Sequence, residues 1–108
     1  MQTLWTFHTR NFRVELACEP ESYPDLSWCD PETQDEIDRG LLECLVYRVR
    51  ITGPGGAELG TDYLGGCVYR DAGAFRGDGY FRDMVREAVT QARRNLYRLQ
   101  ALPVREAA

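Results

Sequence analysis

Between Tyr80 and about Ala101, the residues Phe81, Met84, Val85, Ala88, Ala92, Leu96 and Leu99 recur at the spacing of one helical face. At about 1.5 Å per residue this stretch makes a helix of roughly 33 Å. A helix of that length with a single apolar side must lie on an apolar surface, and a small sheet is the surface it can cross from edge to edge. The preceding chain supplies one in period-two segments. Leu4 to His8 alternate around Trp5 and Phe7, and Phe12, Val14, Leu16 and Cys18 form a second set beyond a turn at Thr9 to Asn11. Leu42 to Thr52 is the clearest strand, with Arg48 and Arg50 on its less buried side. Gly53-Pro54-Gly55-Gly56 closes a hairpin onto a returning strand or strands, Ala57 to Thr61 and Tyr63 to Arg70. There Gly60, Gly65 and Gly66 permit bulges or close backbone approach. The glycine-rich stretch from Asp71 to Gly79 reads as a connection, with Phe75 as a plug.

A second, shorter helix is expected from Pro31 to Arg39. Asp30 is placed as its N-cap, Pro31 at its first position, Glu32 in its first turn and Gly40 past its end. Such a short helix is marginal alone and is expected to lean on the body through Ile37 and Leu41. Prolines at 20, 24 and 31 stiffen the loop before it. The expected architecture is therefore α+β in the order β-β-α-β-β-α. It is an antiparallel sheet of about four strands, with the long C-terminal helix packed on one face. A chain of 108 residues accommodates one such domain, 1–108.

Charge is distributed unevenly. The net charge of −4 comes from 13 basic residues, all arginine, and 17 acids. Glu15 to Asp38 hold nine of those acids and no base. Residues 1–38 therefore set two arginines against nine acids, leaving −7, while 39–108 set eleven against eight, leaving +3. Asp35, Glu36 and Asp38 lie toward the end of the short helix, where negative charge opposes the helix dipole by some tenths of a kcal/mol each. Glu32, Asp35 and Glu36 share one side of it and make a ridge. Tyr23 and Trp28 belong to the same segment, and both are residue types that anchor interfaces. The segment thus reads in two ways. It is either a solvated face with Trp28 and Tyr23 packed back over one end of the core, or an acidic surface with aromatic anchors that fits an arginine-rich groove.

Signals for chemistry are sparse. The chain contains no P-loop, G-x-S-x-G, H-E-x-x-H or G-x-G-x-x-G. His8 is the only histidine, so a catalytic site would have to be built around it or around an Asp62-Tyr63 loop. Cys18, Cys29, Cys44 and Cys67 form no CxxC pair, which argues against zinc, and they are expected to be buried free thiols. No apolar run of about 18 residues and no signal-peptide pattern occurs, so the expectation is a cytoplasmic protein with no membrane contact. Neither a cofactor nor a metal is expected, and a homodimer stays open.

Three segments carry a resemblance: Thr6-Phe7-His8-Thr9-Arg10-Asn11-Phe12, Asp62-Tyr63-Leu64-Gly65-Gly66, and Tyr80-Phe81-Arg82-Asp83-Met84-Val85-Arg86-Glu87-Ala88. In these motifs, their order and its length, the chain resembles small phage- and prophage-encoded proteins of high-GC bacteria. The resemblance implies a context rather than an activity. Small acidic phage proteins often inhibit host defence or transcription complexes, and anti-CRISPR proteins commonly do so by occupying the nucleic-acid groove of an effector. The leading expectation is thus a non-enzymatic acidic inhibitor, a DNA mimic, that binds a host complex handling nucleic acid. It would use Glu19, Glu21, Tyr23, Asp25, Trp28, Asp30, Glu32, Asp35, Glu36 and Asp38. The alternative is a phage accessory protein that binds nucleic acid through Arg82, Arg86, Arg93, Arg94 and Arg98 on the long helix.

Overall fold

Each strand of the protein pairs with the next along the chain, so the sheet is an antiparallel meander in the order β1-β2-β3-β4. A computed structural model of the chain describes residues 1–101, with side chains through Arg98. The side chain of Leu99 and residues 102–108 of the expected 1–108 domain lie outside that description. The strands are β1 (Gln2–His8), β2 (Arg13–Pro20), β3 (Glu43–Thr52) and β4 (Glu58–Tyr69). The helices are α1 (Pro31–Asp38), between β2 and β3, and α2 (Gly79–Ala101), after β4. This is the expected α+β order.

The returning segment is one strand rather than two. Leu45 pairs with Cys67 and Tyr47 with Leu64, so β4 carries one extra residue there, and Gly66 absorbs it at φ 67°. Asp62 and Tyr63 accordingly sit inside β4, paired with Val49 and Arg48, and not in a loop.

One face of the sheet carries the core. Leu16, Leu45, Tyr47, Val49 and Ile51 are buried beneath Met84, Ala88 and Ala92 of α2. Phe75 plugs the end of this layer from a 3-10 turn at Ala72–Gly77. It is fully buried and stacked on Tyr47 at 3.9 Å between ring centres. The Tyr47 hydroxyl donates to the Ala72 carbonyl at 2.8 Å, and the Tyr69 hydroxyl donates to Asp78 at 2.6 Å. The connection between β4 and α2 is therefore pinned at both ends.

The helix lies so close to β4 that a Cβ on Gly60 would stand 2.2 Å from the Ala88 carbonyl oxygen and 3.1 Å from the Ala92 nitrogen. Both obstacles are backbone, so no side chain can swing away. Gly60→Ala should force α2 outward and destabilise the fold by about 1–3 kcal/mol, the usual cost of overpacking. The urea midpoint checks this.

α1 begins and ends as its sequence dictates. The Asp30 carboxylate accepts from the Thr33 N–H at 2.7 Å. Gly40, at φ 76°, closes a Schellman turn in which the Leu41 N–H returns to Glu36 and the Gly40 N–H to Ile37. Its anchoring departs from expectation. No α1 side chain is buried, Ile37 is only half-buried, and Leu41 is 43% exposed. The Schellman turn engages Leu41 through its backbone and leaves its side chain in solvent. Polar contacts hold α1 instead, with the Gln34 amide donating to the Leu26 and Cys29 carbonyls and Arg70 reaching Glu36 at 3.4 Å.

A charge cluster sits on the opposite sheet face. Glu15 is 5% exposed. Its carboxylate accepts from Arg48 at 2.9 Å, Arg50 at 3.0 Å, Arg13 at 3.4 Å and the Thr3 hydroxyl at 3.1 Å. The two sheet edges differ as well. Along β4, the Thr61 N–H donates to Gln91, Asn95 donates to the Leu59 carbonyl, and the Gly66 N–H donates to Glu21. Among the described residues no such side-chain cap covers the outer edge of β1.

Candidate functional site

The charge asymmetry of the sequence becomes a spatial one. The acidic loop and α1 lie against the β4 edge, where Trp28 shares a cleft of about 470 Å³ with Gly65, Gly66, Tyr69 and Tyr80. Tyr23 is fully exposed, held at φ 54°, and Trp28 is 61% exposed. Of the two sequence readings for these aromatics, the structure shows the outward one.

The loop that presents them is braced from within. Glu21 is turned inward and accepts from the Gly66 N–H at 2.8 Å and the Cys44 thiol at 3.2 Å, while its own N–H donates to the Cys44 carbonyl. The Asp25 carboxylate accepts from Ser27 and that of Asp30 from Thr33. These hydrogen bonds hold both groups below the ordinary aspartate range, from the Ser27 hydroxyl and N–H for Asp25 and from the Thr33 N–H and hydroxyl for Asp30. Both stay ionised at neutral pH.

The expected ridge is only partly free. Glu36 is engaged by Arg70, and Asp35 meets Arg39 at 3.6 Å with both side chains well exposed. Glu19 faces the N-terminal amine at 3.9 Å. Asp25, Asp30, Glu32 and Asp38 are exposed and pair with no cation among the described residues. The face that results is a set of outward carboxylates around two outward aromatic rings.

All five expected helix arginines are exposed, but they do not form one face. Arg82, Arg86 and Arg93, spaced four and seven apart, follow the seam between α2 and β1. Arg94 lies about 100° further round the helix than Arg93, with Arg98 one turn beyond Arg94. The seam itself holds groups that the sequence reading placed on a strand, on the apolar face of the helix or in a connection. Trp5 and Phe7 are parallel within 2° at 5.9 Å, Phe81 braces Trp5 edge-on at 5.5 Å, and the Arg76 guanidinium lies over the Trp5 ring at 5.1 Å.

For nucleophilic or metal chemistry the arrangement offers little. The four cysteines are free and buried, as expected. Burial, then the neighbouring Glu21, pushes the Cys44 thiol up to about 11, and burial does the same for Cys67. Cys18 is also raised, by burial first and by Glu43 next. At neutral pH these three thiols stay protonated and are poor nucleophiles. His8 is exposed on β1 opposite Arg13. Among the described residues no group of three or more His, Cys, Asp or Glu side chains is placed to hold a metal ion. No described helix is long and apolar enough to cross a membrane.

No family model, curated protein or solved structure matches this chain.

Proposed function

We propose that this chain is a non-enzymatic binding module whose acidic, aromatic face docks in the cationic groove of a protein that handles nucleic acid. The outward placement of Trp28 and Tyr23 on a hydrogen-bonded loop carries the reading. A solvated acidic face needs no exposed tryptophan, whereas an interface gains most of its affinity from a few rigid aromatic anchors. The loop's internal bonds also lower the ordering cost of binding. Asp25, Asp30, Glu32 and Asp38 then supply charges that stand in for phosphates. The resemblance to phage-encoded proteins nominates a CRISPR effector as the first partner to test, with inhibition by occupation of its nucleic-acid groove.

The test is a titration of the partner against three forms of the protein at several salt concentrations. Trp28→Ala should weaken binding by about 30-fold or more, the cost of losing a hot-spot anchor. The combined Asp25→Asn, Glu32→Gln, Asp38→Asn variant should flatten the salt dependence while the circular dichroism spectrum stays that of the wild type. Unchanged affinity in both variants removes this reading.

A further inference from the structure

The seam between α2 and the β1 edge is built differently from the acidic face and is independent of the function proposed above. Two clefts of about 540 and 350 Å³ share Trp5 and Val85 as walls and run along this seam. Phe7, 51% exposed, lies in one of them. A buried sheet has no need of such a ring at its rim, and β1 already packs through Trp5. Four arginines, Arg76, Arg82, Arg86 and Arg93, line the clefts. The one carboxylate that lines the clefts, Asp78, already accepts from the Tyr69 hydroxyl and the Tyr80 N–H. From Arg82 to Arg93 the row spans roughly 17 Å of helix.

We infer that this seam is a binding site for single-stranded nucleic acid. The ligand must be anionic at intervals along its length and flat between the charges, because the site alternates guanidinium groups with exposed aromatic surface. A single-stranded nucleic acid has that character, with phosphates for the arginines and bases for the rings, and stacking accepts any base. Duplex DNA hides its base faces and would leave Phe7 unused. The strand's phosphates follow Arg82, Arg86 and Arg93 along α2. A base laid against Phe7 joins Trp5 and the Arg76 guanidinium, two flat groups already in contact. Net acidity does not oppose this, since the carboxylate-rich segment lies at the other edge of the sheet.

Trp5 reports on the site directly once Trp28, the other tryptophan, is changed to Phe. In the Trp28→Phe protein, titration with a short oligothymidylate at low salt should quench Trp5 fluorescence. The logarithm of affinity should fall linearly with that of salt. Phe7→Ala should weaken binding by about tenfold, within the range for losing one stacked base. Arg82→Gln, Arg86→Gln and Arg93→Gln combined should reduce the salt slope by about 2, given about 0.7 per phosphate contact on a single strand. All four side chains are exposed, so the spectra of the folded protein should be retained. The Asp25→Asn, Glu32→Gln, Asp38→Asn variant should bind the oligonucleotide as the wild type does, which separates this site from the acidic face. No quenching at low salt overturns the inference. So does binding that survives both the Phe7 and the arginine changes, or a seam that takes a glutamate-tyrosine copolymer but not the oligonucleotide.

Discussion

Replacing Phe75 by alanine should cost about 3–5 kcal/mol, the range for emptying a fully buried phenylalanine site. The ring is 0% exposed and sits among three others, with Tyr47 stacked at 3.9 Å and Tyr69 and Phe81 edge-on at 5.9 and 6.2 Å. Removing it opens a hole that Tyr47 cannot close, because its hydroxyl is tied to Ala72 in the same turn. A domain of this size has only about 5–15 kcal/mol of net stability. The thermal midpoint should therefore fall by roughly 12 °C or more. Phe75→Leu keeps most of the apolar volume and loses mainly the ring contacts, so it should lose distinctly less. A near-wild-type midpoint for the alanine variant would mean that the 71–79 connection does not close the core.

Glu15→Gln should lower the urea midpoint at neutral pH by an amount equivalent to about 3 kcal/mol. Taking one partner from a buried ion pair costs about 3–5 kcal/mol because the other charge is left uncompensated. Here Arg48, Arg50 and Arg13 would all lose their carboxylate, and the partial exposure of Arg13 and Arg50 puts the effect at the low end. Burial alone pushes the Glu15 carboxyl up. The Thr3 and Arg48 hydrogen bonds and the charges of Arg50 and Arg13 together outweigh it, so the group titrates below its ordinary 4.5. A depressed value in the fold means stability that is present above 4.5 and is lost as pH falls through the native value. The two proteins should therefore differ most at neutral pH and converge on acidification. Parallel stability curves down to strongly acid pH would show that the cluster contributes nothing through ionisation.

Much of the fold was legible because its signals are local and redundant. The α2 face repeats over about five turns, Asp30 and Gly40 mark the ends of α1 by their own chemistry, and the β3 alternation survives into the structure unchanged. Other features depend on what the chain meets across space. Trp5 and Phe7 read only as part of a half-buried strand, because alternation reports only which side of a strand a residue takes. It does not say that β1 is an edge, where that side opens on a cleft. The five arginines of α2 read as one group until β1 divided them. Glu15 counted as one more acid in an acidic run, yet β2 is the strand that delivers it to Arg48 and Arg50 of β3. Leu41 was expected inside because it is large and apolar. The turn at Gly40 fixes its backbone and leaves the side chain out. The outward Trp28 could not be read at all, since a tryptophan beside prolines suits a cap as well as an anchor.

The unequal edges of the sheet set a limit on assembly. Gln91 and Asn95 of α2 take the Thr61 N–H and the Leu59 carbonyl of β4, while among the described residues β1 has no such caps. Growth of a continuous intermolecular sheet needs two receptive edges on every copy, one to join and one to be joined. In this protein α2 side chains obstruct part of one of the two. Two copies meeting through β1 would use up the open edges and turn the obstructed β4 edges outward, which disfavours further strand addition.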